Sequence, residues 1–253
     1  MPKMTLLDMT QDILSDMESD EVNSINDTVE SLEVAQIIKS TYYNIIDGKD
    51  WPHLYRMFQL TSSGDSDLPT YMTLPERVSD LAWVKYDAKE FGETREKYRK
   101  LTFKNPEDFM KELDARDSDQ SYISAMVDPV SSVPLNIYND RAPLYYTSFD
   151  NEHVILDAYD VAVDSTSQSS KTQCFGKFDP VWTMDDSFIP DLPANAFSYL
   201  LNEAKSTCFL RIKQAPDQKS EQHSISQRRR MSQQAWRVNG GIQYGDYGRK
   251  SKK

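Results

Sequence analysis

Apolar residues recur at helical spacing towards both ends of the chain and at strand spacing in between. Leu6, Met9, Ile13 and Met17 mark one helical face, widened by Leu7 and Leu14, and Thr5-Leu6-Leu7-Asp8 has the form of a capping box. The acidic stretch Glu18-Ser19-Asp20-Glu21 interrupts that stripe. A second helix is expected from Asp27 or Thr28, with Leu32, Ala35, Ile38, Tyr42, Ile45 and Ile46 on one face and Gly48 as its stop.

From Trp51 the pattern changes. His53–Thr61, Tyr71–Leu74, Ser79–Asp87 and Tyr98–Phe103 read as strands, and the alternation in Ser79–Asp87 leaves its buried face open. Asn105-Pro106-Glu107-Asp108 opens a short helix: an N-cap, proline at the first position and acids in the first turn. Leu135–Tyr138, Leu144–Phe149 and His153–Ala158 read as a β-meander turning at Asp150-Asn151-Glu152. Phe175, Phe178 and Trp182 fall in a stretch read as irregular. Asp191-Leu192-Pro193 is then expected to cap a helix striped by Phe197, Leu200, Leu201, Ala204, Cys208 and Ile212, ended or kinked by Pro216.

A last helix, roughly residues 217–238, is mostly Gln, Ser and Arg, with Ile225, Met231, Ala235, Trp236 and Val238 as its few apolar positions. So polar a helix needs contacts from elsewhere to hold it. The fold class expected is α+β: a helical bundle from the N- and C-terminal segments, a β-rich insertion and an extended tail. The divisions expected are residues 1–52 and 186–238 for the bundle, 53–185 for the insertion and 239–253 for the tail.

Charge sharpens this layout. The 253 residues carry −11 overall, but residues 205–253 hold twelve Lys/Arg against three Asp/Glu, leaving 17 against 37 in the remainder. A net-acidic surface repels nucleic acid, while the basic end keeps that question open locally. At 38% hydrophobic and 27% charged, the chain can bury a core without disulfides, and its two cysteines form no CxxC pair. Cys208 reads as a small buried hydrophobe. No apolar run approaches a bilayer span, and Met1-Pro2-Lys3-Met4-Thr5 lacks signal-peptide character, so synthesis in a cytoplasm without membrane insertion is expected.

Little in the sequence points to catalysis. His53, His153 and His223 have no partner at metal-ligand spacing, and no phosphate-loop, nucleophile-elbow or zinc-protease signature occurs. Asp185-Asp186, Asp157 and Asp160 read as solvated surface. No enzyme activity, cofactor or metal is expected.

Arg228-Arg229-Arg230 spreads over more than half a helix circumference and allows three readings: a solvated face, a docking surface for an acidic protein, or a contact to DNA phosphates. Trp236 and Arg237 favour a protein interface. Beyond them, Gly240, Gly241, Tyr244, Tyr247, Gly248 and Arg249 combine a thin backbone with broad aromatic contact, which suits docking in a crevice; a disordered terminus is the other reading.

These features together resemble the head-to-tail adaptors (connector, or tail tubular protein A) of short-tailed bacteriophages. The resemblance rests on the helix pair through Thr28–Ile46, Trp51-Pro52 entering a β-region, Asp191-Leu192-Pro193 with Tyr199-Leu200-Leu201, and the Arg-rich helix leading to Tyr247-Gly248-Arg249. It implies a structural virion protein at the head–tail junction, self-associated into a ring, usually of twelve copies, beneath the portal. It further implies that DNA passes through the lumen without specific binding and that tail nozzle or fibre proteins dock below. By position, Arg228–Arg230, Trp236, Arg237 and the segment 240–249 would bind the portal. The alternative is a nucleic-acid-associated factor using residues 205–253 as a basic arm.

Overall fold

The computed structural model describes residues 3–232. The fold is mixed α+β, and the chain divides into two compact units, one formed by Met1–His53 with the chain from Pro180 onward, the other by Leu54–Asp179.

The first unit is helical. Helix α1 (Leu6–Asp16) begins at the expected capping box: Thr5 Oγ1 accepts from the Asp8 N–H at 3.1 Å, and Asp8 accepts from the Thr5 N–H at 3.0 Å. Two further free N–H groups of its first turn are satisfied from afar, Leu6 donating to Phe188 O at 2.7 Å and Leu7 to Asp186 O at 3.2 Å. Helix α2 (Val29–Asp47) is capped by Thr28 and Ser31 and stops at Gly48. Leu6, Met9, Ile13, Ala35, Ile38 and Tyr42 are all buried, as their spacing requires.

Helix α4 (Phe197–Arg211) packs on α1 and α2, and helix α5 (Gln218–Ser232) packs on α4. The α4 stripe is as read, with Phe197, Leu200, Leu201, Ala204 and Cys208 buried. Its start is not. Ala196 occupies the cap position without a side-chain bond, five residues beyond Asp191. Asp191 instead turns its carbonyl to His53 Nε2, 2.8 Å away, and accepts from the Tyr42 hydroxyl at 3.4 Å.

The second unit has three layers. Strands β1 (Tyr55–Phe58), β4 (Val78–Asp87), β5 (Tyr98–Lys100) and β11 (Thr172–Phe178) form an antiparallel sheet in the order β1-β11-β4-β5. A second sheet has the order β2-β3-β10-β9-β6, from Thr61–Ser62, Tyr71–Thr73, His153–Leu156, Tyr145–Thr147 and Thr102–Phe103; its β6–β9 pair is parallel. The chain crosses between sheets at two buried leucines: Leu60 links β1 to β2 and Leu101 links β5 to β6.

Alternation assigns the faces. Met72, Val154 and Leu156 point from the second sheet towards Val84, Tyr86 and Cys174 of the first. Tyr71 and Ile155 point the other way, onto helix α3 (Pro106–Asp114) and the hairpin of β7 (Ile123–Val127) and β8 (Pro134–Tyr138), where Phe109, Leu113, Met126, Leu135 and Ile137 complete a second core. The open question about residues 79–87 is thereby answered: Val84 and Tyr86 face in, Trp83 and Lys85 out.

Two expectations fail here. The three-strand meander does not form: β9 and β10 pair, but β8 pairs with β7, a strand the sequence reading missed. The stretch around Phe175, read as irregular, is instead the strand β11 at the centre of the first sheet. Its buried face is Thr172, Cys174 and Gly176, small or polar residues that give no apolar alternation to read. Gly176 is required for packing, since a Cβ there would sit 2.4 Å from Asp80 O.

Candidate partner interface

The described part of the expected docking region is α5. Its inward face carries Ser220, Ser224, Gln227 and Met231, spaced 4, 3 and 4 residues apart. Ser224 Oγ donates to Glu203, and Gln227 Nε2 donates to Ser198 Oγ at 2.5 Å. Ile225, read from the sequence as one of the helix's apolar positions, is 45% exposed. The seam is two serines, a glutamine and one expected apolar residue, Met231, which is buried, and hydrogen bonds to α4 help hold the helix.

Both ends of the described part of α5 are tied down. Asp217 accepts from the N–H groups of Lys219 and Ser220 and from Ser220 Oγ, and the hydroxyl bond holds its carboxyl below the usual range. In the last described turn Lys49 Nζ donates to Met231 O at 2.6 Å. Lys49 also lies 5.4 Å over the ring of Trp51, whose Nε1 donates to Ile45 O. Burial pulls the Lys49 pKa down.

The arginine triplet divides. Arg228 lines a cleft of about 520 Å3 between α2, α4 and α5, together with Lys49, Trp51, Tyr199, Glu203 and Arg211. Arg229 and Arg230 flank a separate shallow surface with Gln222, Ile225 and Ser226. Trp236, Arg237, Gly240, Gly241, Tyr244, Tyr247, Gly248 and Arg249 lie outside the described residues. The cleft itself was not foreseen, because Lys49, Tyr199 and Arg228 come from three separate segments with no motif among them.

The acidic residues read as solvated are in part structural. Asp157 is buried against Arg116, and Asp186 accepts from the Ile25 N–H at 2.8 Å and from Ser24 Oγ, fixing the turn between α1 and α2. Cys174 and Cys208 are both buried, which pushes each thiol up to about 12. Among the described residues no group of three or more His, Cys, Asp or Glu is placed to hold a metal, and no helix is long and apolar enough to cross a membrane. No protein-family model matches the chain, and no match is found among curated proteins.

Proposed function

We propose that this chain is a head-to-tail adaptor of a short-tailed bacteriophage, a structural protein without catalytic function that forms a ring beneath the portal and extends the DNA channel. The observation that carries the reading is α5. A helix whose described inner face is serine and glutamine with one apolar residue, Met231, and which displays Arg228, Arg229 and Arg230, leads directly into the aromatic and basic sequence beyond residue 232. Such a helix is costly to keep as mere surface and well suited to dock on an acidic partner, because guanidinium groups pair bidentately with carboxylates.

Further support comes from chain layout. Segments from both ends of the chain form the helical unit while the middle of the chain forms a β-rich one, the order that the adaptor resemblance implies. In this reading the helical unit is a bundle, the portal receives α5 and the segment 239–253, and the tail nozzle or fibres bind elsewhere.

The test is a pull-down with the portal protein of the same genome, comparing the full chain with a truncation ending at Val238 and with an Arg228→Ala/Arg229→Ala/Arg230→Ala variant. Retention of the full chain, lost on truncation and weakened by the triple change, supports the proposal. No retention of any form, with salt-sensitive binding to DNA instead, overturns it in favour of a basic nucleic-acid-binding arm.

A further inference from the structure

The β-rich unit presents two outer faces of opposite chemistry, one on each side of its three layers. On the outer face of the first sheet, Tyr55, Phe175 and Trp83 stack across three adjacent strands, with centroids 5.7 and 5.8 Å apart and planes inclined by 26° and 17°. Met57, directly across from Phe175, is 63% exposed. One step along, Lys85 and Lys100 stand directly opposite each other on β4 and β5, with Lys85 4.8 Å over the Trp83 ring. Like charges in a cross-strand pair oppose folding, so this pair favours an anionic partner. Lys177 shares the face and has Asp80 across from it.

On the far side of the second sheet, the layer of α3 and the β7–β8 hairpin is acidic and apolar. Glu107, Asp108, Asp114, Asp117 and Asp119 are exposed. The cations within that stretch are Lys111, paired with Glu107 at 2.8 Å, and Arg116, which is buried. Around the hairpin Val127, Val130 and Val133 are 56%, 81% and 40% exposed, and Phe149 beside them is 39% exposed. Val130, Val133 and Phe149 border an apolar cleft of about 410 Å3 floored by Met110, Leu135 and Ile155. Exposed apolar surface of this kind, rimmed by charge, marks an association site.

We propose that these two faces bind each other between copies of the chain: the aromatic and lysine face of one copy seats on the acidic, valine-rich face of the next. The occupant is a second copy because both faces offer apolar contact in the middle and each carries the charge opposite to the other around it. The two faces differ and lie on opposite sides of the same unit, so the contact is head-to-tail and repeats from copy to copy. Repetition closes into a ring where the rotation permits and gives a filament where it does not. Closure into a ring beneath a portal rests on the adaptor reading; the pairing of faces does not.

The test uses full-length protein in sedimentation velocity at raised concentration, alone and with the portal of the same genome. Two charge-reversed variants are compared with the wild type: Lys85→Glu/Lys100→Glu on the sheet, and Asp114→Lys/Asp119→Lys on the α3 layer. Met57→Glu serves as a second sheet-face variant that leaves the Lys85–Trp83 contact intact, and thermal melts confirm that each variant folds. Each reversed variant alone is expected to associate at least about tenfold more weakly, since like charges now meet. An equimolar mixture of the two is expected to recover, because alternating copies pair opposite charges again.

Variants that associate on the portal as the wild type does overturn the pairing and leave the adaptor reading standing. Charge-dependent association with recovery in the mixture, but no binding to the portal, supports the pairing and counts against the adaptor. A wild-type chain that self-associates in neither setting overturns the pairing. So does unchanged self-association in Lys85→Glu/Lys100→Glu combined with loss of salt-sensitive binding to oligothymidylate, which reassigns the sheet face to single-stranded nucleic acid.

Discussion

Arg116 Nη2 lies 3.3 Å from Asp157 Oδ2, with side-chain exposures of 3% and 6%. The pair ties four segments together. Arg116 Nη1 donates to the carbonyls of Asn136 and Asp157 at 3.0 and 2.8 Å, and its guanidinium lies 4.0 Å from the Tyr138 ring. Asp157 Oδ1 accepts from the N–H groups of Leu144 and Tyr145 at 2.9 and 2.8 Å. Removing one partner strands a buried charge. Arg116→Ala is therefore expected to cost about 3–5 kcal/mol in urea unfolding. The double change Arg116→Met/Asp157→Leu removes both charges but leaves the Leu144 and Tyr145 N–H groups without their acceptor, so its loss is expected to be smaller but not zero.

Asp128, at the entry to the β7–β8 turn, accepts from the Tyr71 hydroxyl and from the Ser131 N–H and Oγ. Burial works to raise its carboxyl pKa, but the bonds from Ser131 and Tyr71 outweigh it and leave the value lowered. A carboxyl lowered in the folded state contributes stability above its unfolded value, near 4, and that contribution is lost as pH falls through the folded one. Burial and the same bond raise the Tyr71 pKa, so its contribution is present below about pH 10 and lost above. Denaturation midpoints measured across pH should fall at both ends for the wild type. Tyr71→Phe should flatten the alkaline limb.

Gly176 sits beside a register shift in β11, and an added Cβ would meet Asp80 O at 2.4 Å and Phe58 at 3.2 Å. Gly176→Ala is expected to lower stability by about 1–3 kcal/mol, because the obstacle is backbone and cannot rotate away. Calorimetric melting of the variant checks this.

Asp186 carries the bond to the buried Ile25 N–H across 161 positions of sequence. Asp186→Ala leaves that donor unsatisfied and should cost about 1–3 kcal/mol. Asp185→Ala is the control and should be within about 0.5 kcal/mol of wild type, as for an ordinary surface change.

Lys49 and the α4 seam are what hold α5. Lys49→Ala is expected to speed amide hydrogen exchange selectively in the last turn before Ser232, leaving the α1–α2 amides unchanged. Uniform acceleration throughout the helical unit would show that the contact is not local.

How much of this was legible in the sequence depended on whether the information was local. Thr5 with Asp8, and Thr28 ahead of Ser31, mark helix starts because capping is decided within four residues. Asp191 looked like such a cap yet turned its carbonyl to residues 42 and 53, where distant donors competed better than the next turn did. Strand β11 was missed for a related reason: a central strand buried against Tyr86 and Val84 can use threonine, cysteine and glycine on its inner face. The arginine triplet was visible from the sequence, but the cleft that takes only Arg228 was not.

The sequence by itself determined the helical ends, the β-rich middle and the charge split, because periodicity, capping and net charge are properties of neighbouring residues. The tertiary structure alone decided that Ser220 and Ser224 would be buried on the inner face of α5, that β8 would pair with β7, and that Arg116 and Asp157 would share a buried site. The physical reason is desolvation. Whether a polar group is surface or keystone depends on which distant partner excludes water from it, and no local pattern records that partner.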